Sequence, residues 1–443
     1  MSRNLNSAFF LLVIFGMPLV LLIAKKEVFS VDEKRKLATI PEFNYTTYLS
    51  GKWAKGVDDY IDDHFPFRNS FIQGASVFHA SKGFVLENAE KVVVIPKRAK
   101  KIAKASTEEE AAAMKFLDDF EEEYSGSMLI IDGCVYPMGG GSPKMSKSFS
   151  KMVSEYAEEL KGETRVFSAV APLSSAFIPV EKYRKYNEQN QRTLAAIGSS
   201  LSNGALFCDV FTELNKHVDK KLYFGTDHHW KPIGAYYAYV AFCKTAGFAP
   251  VPLDKMDKKV KYNFVGTMYQ HTRDPSVKAN PDTMEYWVPK VETSAVRYGE
   301  YGFNKYTNTK VFHHGCSGGN TYSTFLGGDA PLIRIKTGVK NGKKAVVIKN
   351  SMGNAFSVFL VSHYQEIWVV DFRYSKQNLI ELIRANNIND MIFAVGMYAA
   401  MSNGTINMMR NLAKQNGVYI PKPASPTTND SIITIQEPAD TLN

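Results

Sequence analysis

Cysteine is scarce in this 443-residue chain: there are four, Cys134, Cys208, Cys243 and Cys316, and none stands in a C-x-x-C pair. That spacing excludes a zinc ribbon and gives no sign of a disulfide framework. A basic stripe interleaved with aromatics is missing as well. The formal charge of +9 is spread thinly, with both signs mixed in stretches such as DEKRK and VEKYRKYNE, so the footprint of a nucleic-acid binder is absent. Acidic lipid headgroups or an acidic polysaccharide suit that charge equally well. No internal repeat and no H-x-x-x-H pair is visible. What remains is ordinary globular composition, 45% apolar and 22% charged, in a chain long enough for two or three average domains or one large one with appendages.

One long apolar run is present, from Ala8 to Ala24. It carries no charge, follows Arg3, stops at Lys25 and Lys26, and has no small-x-small cleavage site after it. Residues 1–28 therefore read as an uncleaved signal anchor that holds the protein to a membrane, with a removed signal peptide as the alternative. Lys25, Lys26, Lys34, Arg35 and Lys36 follow the run, and loop charge alone would leave the C-terminal side in the cytoplasm. Residues 29–90 read as a stem and helical neck, in which Trp53, Val57, Tyr60 and Ile61 recur at helical spacing until Phe65-Pro66-Phe67-Arg68 breaks it. At the other end, residues 421–443 have linker composition and are expected to be disordered.

Between these ends, residues 91–420 alternate helix-like and strand-like segments. EEEAAAMKFLDDFEEEY, FSKMVSEYAEELKG and EQNQRTLAAIGSSL read as helices, while MLIID, RVFSAVAPL and ALFCDVF read as strands. The alternation resumes with KAVVIKN, EIWVVDF and DMIFAVGM as strands, separated by the helical segments GNAFSVFLVSHY and KQNLIELIRANN. Short apolar strands without period-two patterning predict an α/β domain, a mostly parallel sheet with helices on both faces. An insertion at about 248–342, rich in Tyr, Gly, Asn and Asp, is expected to fold as loops and β structure over one edge. Ligands of open α/β sheets bind at the carboxyl ends of the strands, so strand-to-helix turns are where chemistry is sought.

Two turns qualify. In FGTDHHWKPIGAYY, residues two apart project to the same side, which lets Asp227 face His229 rather than His228. A carboxylate there fixes one imidazole nitrogen and leaves the other as a base. Asp227 or Thr226 capping the helix after Pro232 is the plainer alternative. A metal centre is a further rival, with His313 and His314 of FHHG as the missing ligands, but no second cluster at ligand spacing accompanies the motif and none is assigned. In AVVIKNSMGNAFSVFL a strand runs through Lys349-Asn350-Ser351 into a helix, which holds a serine beside the free N–H groups of a helix start. Asn350 or Ser351 serving only as a cap is the alternative there. Together, Ser351, His229 and Asp227 make a nucleophile, base and orienting acid.

TDHHWKPIGAYYAY with VVIKNSMGNAFSVFL resembles the DHHW protein family, which is similar to the alginate O-acetylation proteins with an SGNH-hydrolase-like fold. Weaker supporting stretches are EKRKLATIPEF, YIDDHFPFRNSF, FVGTMY, DTMEYW, YSTFLGGD and VDFRYS. The resemblance implies Ser351 as nucleophile with His229 and Asp227, in an order that looks permuted because the Asp/His block precedes the serine. Relatives usually carry Asp before the serine, where this chain has Asn350. Arg373 and Tyr374 are candidates for holding a substrate carbonyl or sugar, unless Asp371 and Arg373 simply pair; Asn320 and Tyr322 are candidate lining residues. The implied function is an extracytoplasmic O-acetyltransferase or acetylesterase on a cell-surface or secreted polysaccharide. It needs no cofactor, and an integral membrane acyltransferase is implied as acyl donor. A catalytically silent polysaccharide-binding scaffold in an export complex is the alternative. An extracytoplasmic site overrides the loop-charge orientation above.

Overall fold

A computed structural model describes residues 10–11, 14–16, 19–23, 29–30, 35–68, 70–71, 74, 90–95, 126–299 and 302–415. The helix expected at 108–124 and the tail from residue 421 lie outside the described residues. The apolar run 8–24 is described only in part, and no helix among the described residues is long and apolar enough to cross a membrane. The expected membrane anchor therefore gains no support from the fold. The helical spacing at 53–61 does give a helix, α1 (Lys52–His64), which ends because Pro66 drives Phe65 out of helical geometry to φ −57°, ψ 129°.

Strands β1 (Lys91–Ile95), β2 (Gly126–Ile131) and β3 (Cys134–Pro137) make a separate antiparallel sheet. MLIID, expected in the main sheet, is β2 of this small one. The chain continues through α2 (Pro143–Glu159), β4 (Arg165–Ser168), α3 (Arg184–Ser199) and β5 (Leu206–Phe207). ALFCDVF is a strand over only its second and third residues, because Asp209 accepts a hydrogen bond from Thr212 N–H and starts a helix at Val210. Next come α4 (Pro232–Ala246), β6 (Asp257–Phe264), α5 (Thr267–Thr272), β7 (Asp282–Val288), β8 (Thr293–Gly299), β9 (Gly302–Thr309) and β10 (Leu332–Thr337). The last part holds β11 (Lys344–Lys349), α6 (Met352–Ser357), β12 (Glu366–Asp371), α7 (Leu379–Asn386), β13 (Asp390–Ala394) and α8 (Asn403–Asn411).

The main sheet has the order β9-β8-β10-β12-β11-β13-β4-β5. From β12 to β5 all pairings are parallel, as expected. The other three strands are antiparallel and come from the insertion, which extends the sheet instead of folding over its edge. The reason lies in β12, buried at every residue: an open edge there would leave its backbone groups unpaired, and β10 pairs with them. Strands β6 and β7 form their own hairpin sheet.

Side chains of β11 alternate between two cores. Ala345 and Val347 pack with α4 and α6, while Val346 and Ile348 pack with α2, α3, α7 and α8. Both faces of the strand are covered, which is why its sequence is a continuous apolar run. Such a strand has no freedom at its carboxyl end, and Ser351 sits two residues beyond it.

Candidate active site

Tyr223 and Trp230 form an antiparallel bridge, and Phe224 N–H donates to His229 O over 3.2 Å. Residues 224–229 are thereby closed into a tight loop ahead of α4. Helix α4 starts at Pro232 with Lys231 as N-cap and no side-chain capping bond, so neither Thr226 nor Asp227 caps it. Asp227 faces His229 as the spacing predicts: His229 Nδ1 lies 2.5 Å from Asp227 Oδ1, which also accepts from His229 N–H at 3.0 Å. The other carboxylate oxygen, Oδ2, accepts from Thr267 N–H at 2.9 Å and from the Thr267 hydroxyl at 3.0 Å. His228 points elsewhere, with Nδ1 2.7 Å from Thr267 Oγ1.

The loop is braced from the insertion. Asp282 accepts from Gly225 N–H (3.1 Å) and from both Thr226 N–H and its hydroxyl (2.8 Å each). Gly266 passes so close that a Cβ there would lie 2.3 Å from Asp227 Cβ; only glycine permits that approach. Burial works to raise the Asp227 pKa, but the two imidazoles and the bonds from His229 and Thr267 outweigh it and hold the carboxyl below its ordinary range. Burial together with the neighbouring His229 holds His228 well below the usual imidazole value, so it is neutral at neutral pH. His229 Nε2 is buried and has no hydrogen-bond partner among the described residues, Ser351 included.

The serine turn is fixed differently. Ser351 is the N-cap of α6 yet makes no side-chain capping bond, and Asn350 Oδ1 accepts from Gly396 N–H at 3.2 Å. Neither residue is a simple helix cap. Two aromatic side chains join this turn to the histidine loop. The Tyr322 ring stacks on His229 with centroids 3.7 Å apart, and its hydroxyl lies 3.2 Å from Ser351 O. Trp230 Nε1 donates to Met352 O at 3.0 Å. Burial and the Asp227 charge push the Tyr322 pKa well up, so its hydroxyl stays a donor.

Of the other sequence candidates, Arg373 is held in a buried ion cluster. Its guanidinium reaches Asp371 Oδ1 at 2.9 Å and Asp329 Oδ2 at 2.7 Å, while Lys349 Nζ lies 2.7 Å from both Asp329 Oδ1 and Asp371 Oδ2. The pairing of Asp371 with Arg373 is thus what forms. Asn354 Nδ2 donates to Asp329 Oδ1 at 2.9 Å, which ties the cluster to α6. Tyr374 lies under the Arg373 guanidinium, 4.9 Å from it. Asn320 is exposed on the same short helical turn from which Tyr322 reaches inward. Structure therefore brings Asp227, His229, Tyr322 and the Ser351 turn together, while Arg373 and Tyr374 lie beneath that turn and Asn320 faces solvent.

Asp227, His228 and His229 place three metal-competent atoms within 4.8 Å of one another. His313 and His314 do not join them: His313 Nε2 lies 3.0 Å from Thr309 Oγ1 and His314 Nδ1 lies 2.9 Å from the Tyr286 hydroxyl. Both Asp227 oxygens already accept hydrogen bonds, Oδ1 from His229 and Oδ2 from Thr267, so the carboxylate serves as an orienting acceptor for the histidine. Sequence reasoning assigned no role to Thr267, Asp282 or Asp329. The stretches FVGTMY, DTMEYW and YSTFLGGD contain them, and an unexplained Gly-Thr or acidic residue inside a loop-rich insertion was the available signal.

The mixed α/β sheet, with its serine turn and Asp–His loop joined through Tyr322, is a fold that solved structures share. A DHHW family protein from Eubacterium siraeum matches at 30% identity and a TM-score of 0.59, over 64% of this chain and 95% of that one. Bacillus cereus PatB1, solved with a sulfonyl adduct, matches at 17% identity and a TM-score of 0.52, over 64% of this chain and 97% of that one. The O-acetyltransferase domain of Pseudomonas putida AlgJ aligns at 10% identity and a TM-score of 0.33, over 64% and 96%. No curated protein matches. The chain belongs to the DHHW protein family, whose model matches residues 89–370.

Proposed function

We propose that this protein is an O-acetyltransferase or acetylesterase acting on a polysaccharide, with Ser351 as nucleophile, His229 as general base and Asp227 as its orienting acid. The observation that carries the reading is His229 itself: Nδ1 is fixed on Asp227 at 2.5 Å, and Nε2 is a buried lone pair with no partner among the described residues. A buried acceptor left open is costly unless something donates to it, and a reacting alcohol is such a donor. Catalytic hydrogen bonds in empty sites are often long and tighten with substrate. Ser351 Oγ attacks the acyl carbonyl as its proton passes to His229 Nε2. Collapse of the tetrahedral adduct breaks the bond to the leaving oxygen, which takes that proton and departs. A sugar hydroxyl, or water, then gives its own proton to Nε2, attacks the acyl-enzyme and releases Ser351. Gly353 and Asn354 N–H donate to Asn350 O and Ser351 O, so Met352 N–H is the oxyanion donor proposed at the start of α6.

An anchor within residues 1–28 belongs to the same reading and rests on the uncharged run Ala8–Ala24, while an extracytoplasmic location and an acyl-donating membrane partner rest on the resemblance. The purified protein is expected to turn over an aryl acetate, and Ser351→Ala to lose roughly a thousandfold or more. Equal turnover by the variant would discard the assignment. A second reading, a silent polysaccharide-binding scaffold, is favoured by Asn350 and by the missing Ser351–His229 hydrogen bond. Sugar binding that survives Ser351→Ala, without any acyl-enzyme in the mass spectrum, would select it.

A further inference from the structure

The first histidine of the motif has no part in the chemistry above, yet its Nδ1 lies 2.7 Å from Thr267 Oγ1. That same hydroxyl lies 3.0 Å from Asp227 Oδ2. Thr267 has one hydroxyl proton to place. An ionised carboxylate accepts only, so the proton goes to Asp227. The Thr267 oxygen must then accept from His228, which fixes His228 as the tautomer protonated on Nδ1. With the opposite tautomer, Thr267 would donate to His228 Nδ1 and Asp227 Oδ2 would lose one of its two donors.

We infer that His228 is a positioning residue: through its Nδ1 proton it aims the Thr267 hydroxyl at Asp227 and so completes the donor shell that holds the carboxylate against His229. The chain runs from His228 through Thr267 and Asp227 to His229, and its two ends touch, with the imidazole centroids 3.7 Å apart. The groups acting on His228 are Asp227 and His229 in its own loop, His271 on α5 and Asp329 from the loop before β10. Burial, His229 and His271 outweigh the two carboxylates and keep the ring neutral, and a neutral ring has only one proton to give. The inference rests on the Asp227–His229 pair being the catalytic acid and base. It also explains why FVGTMY lies against the motif: Gly266 allows the approach and Thr267 supplies two donors to one oxygen.

Two measurements test it, and only one needs activity. In the 15N spectrum of histidine-labelled full-length protein, His228 is expected to be protonated on Nδ1 and unprotonated on Nε2 near neutral pH; the reverse pattern overturns the inference whether or not the protein turns over an ester. In aryl acetate kinetics, His228→Phe and Thr267→Val should each lower kcat by about tenfold, as expected for losing one hydrogen bond to a charged group, with KM little changed. His228→Asn, whose amide nitrogen takes the place of Nδ1, should recover most of that loss. The His228→Phe/Thr267→Val double variant should be no slower than the worse single one, because both remove the same link. Losses that multiply, or failure of Asn to rescue while Thr267→Val still melts like wild type, contradict the relay. Activity lost by Ser351→Ala with His228→Phe unaffected would leave the proposed function standing and remove the relay.

Discussion

The two halves of the site are held by unlike means. The Ser351 turn is an extension of the sheet: β11 is buried on both faces, Asn350 is pinned by Gly396 N–H, and the cluster of Lys349, Arg373, Asp329 and Asp371 sits beneath it. The Asp227 loop has no such strand under it. It is shaped by side chains arriving from the insertion, Thr267 on one oxygen and Asp282 on the preceding backbone. Damage to the serine turn should therefore register as lost stability, and damage to the Asp227 loop as lost activity in a protein that still folds.

Asp329 should show the largest effect, since it pairs with both buried cations beneath the serine turn and with Asn354 of α6. Asp329→Ala removes one of the two carboxylates that pair with both Lys349 and Arg373, whose side chains are 1% and 8% exposed. Breaking a buried pair in this way costs about 3–5 kcal/mol, to be read from denaturant melts. Adding Lys349→Met restores neutrality and should recover a substantial part; no recovery would mean that Asp329 acts by shape and not by charge.

Smaller but more telling is a pair of glycines. A Cβ on Gly266 would lie 2.3 Å from Asp227 Cβ and 2.4 Å from Oδ2, whereas one on Gly353 would meet Lys349 Cβ at 2.4 Å and the backbone oxygen of Ala394 at 2.7 Å. Both substitutions overpack, at about 1–3 kcal/mol. In Gly266→Ala the yielding group is Asp227, the proposed orienting acid, so ester turnover should fall much further than the melting temperature implies. In Gly353→Ala the obstruction is core backbone, so stability should fall at least as far as activity. Identical ratios of activity to stability loss in the two variants would erase the distinction between the halves.

The same contrast governs what was legible in the sequence. The parallel half of the sheet and the serine turn follow from local patterns: short apolar runs, helical periods between them, and Asn-Ser-Met-Gly at a strand end. The facing of Asp227 and His229 follows from a spacing of two. Strand order at the β12 edge did not, because pairing partners far apart in sequence share no period. The partners of Asp227 were hidden for a related reason: Thr267 is 40 residues away in the chain, and a hydroxyl in a polar loop looks like any other. Tyr322 was named among candidate lining residues, but its stacking on His229 and its reach to Ser351 O needed coordinates. Arg373 illustrates the opposite case, where the plain local reading, a pair with Asp371 two residues earlier, is the contact that forms.

In the proposed mechanism His229 activates Ser351. Intact-mass spectrometry after exposure to an aryl sulfonyl fluoride addresses it directly, since loss of fluoride leaves one sulfonyl group on an activated hydroxyl. A single adduct mapped to Ser351, formed far more slowly in His229→Ala and Asp227→Asn and absent in Ser351→Ala, is the result expected. Labelling at Ser351 that proceeds equally fast without His229, or labelling only at other residues, would contradict it.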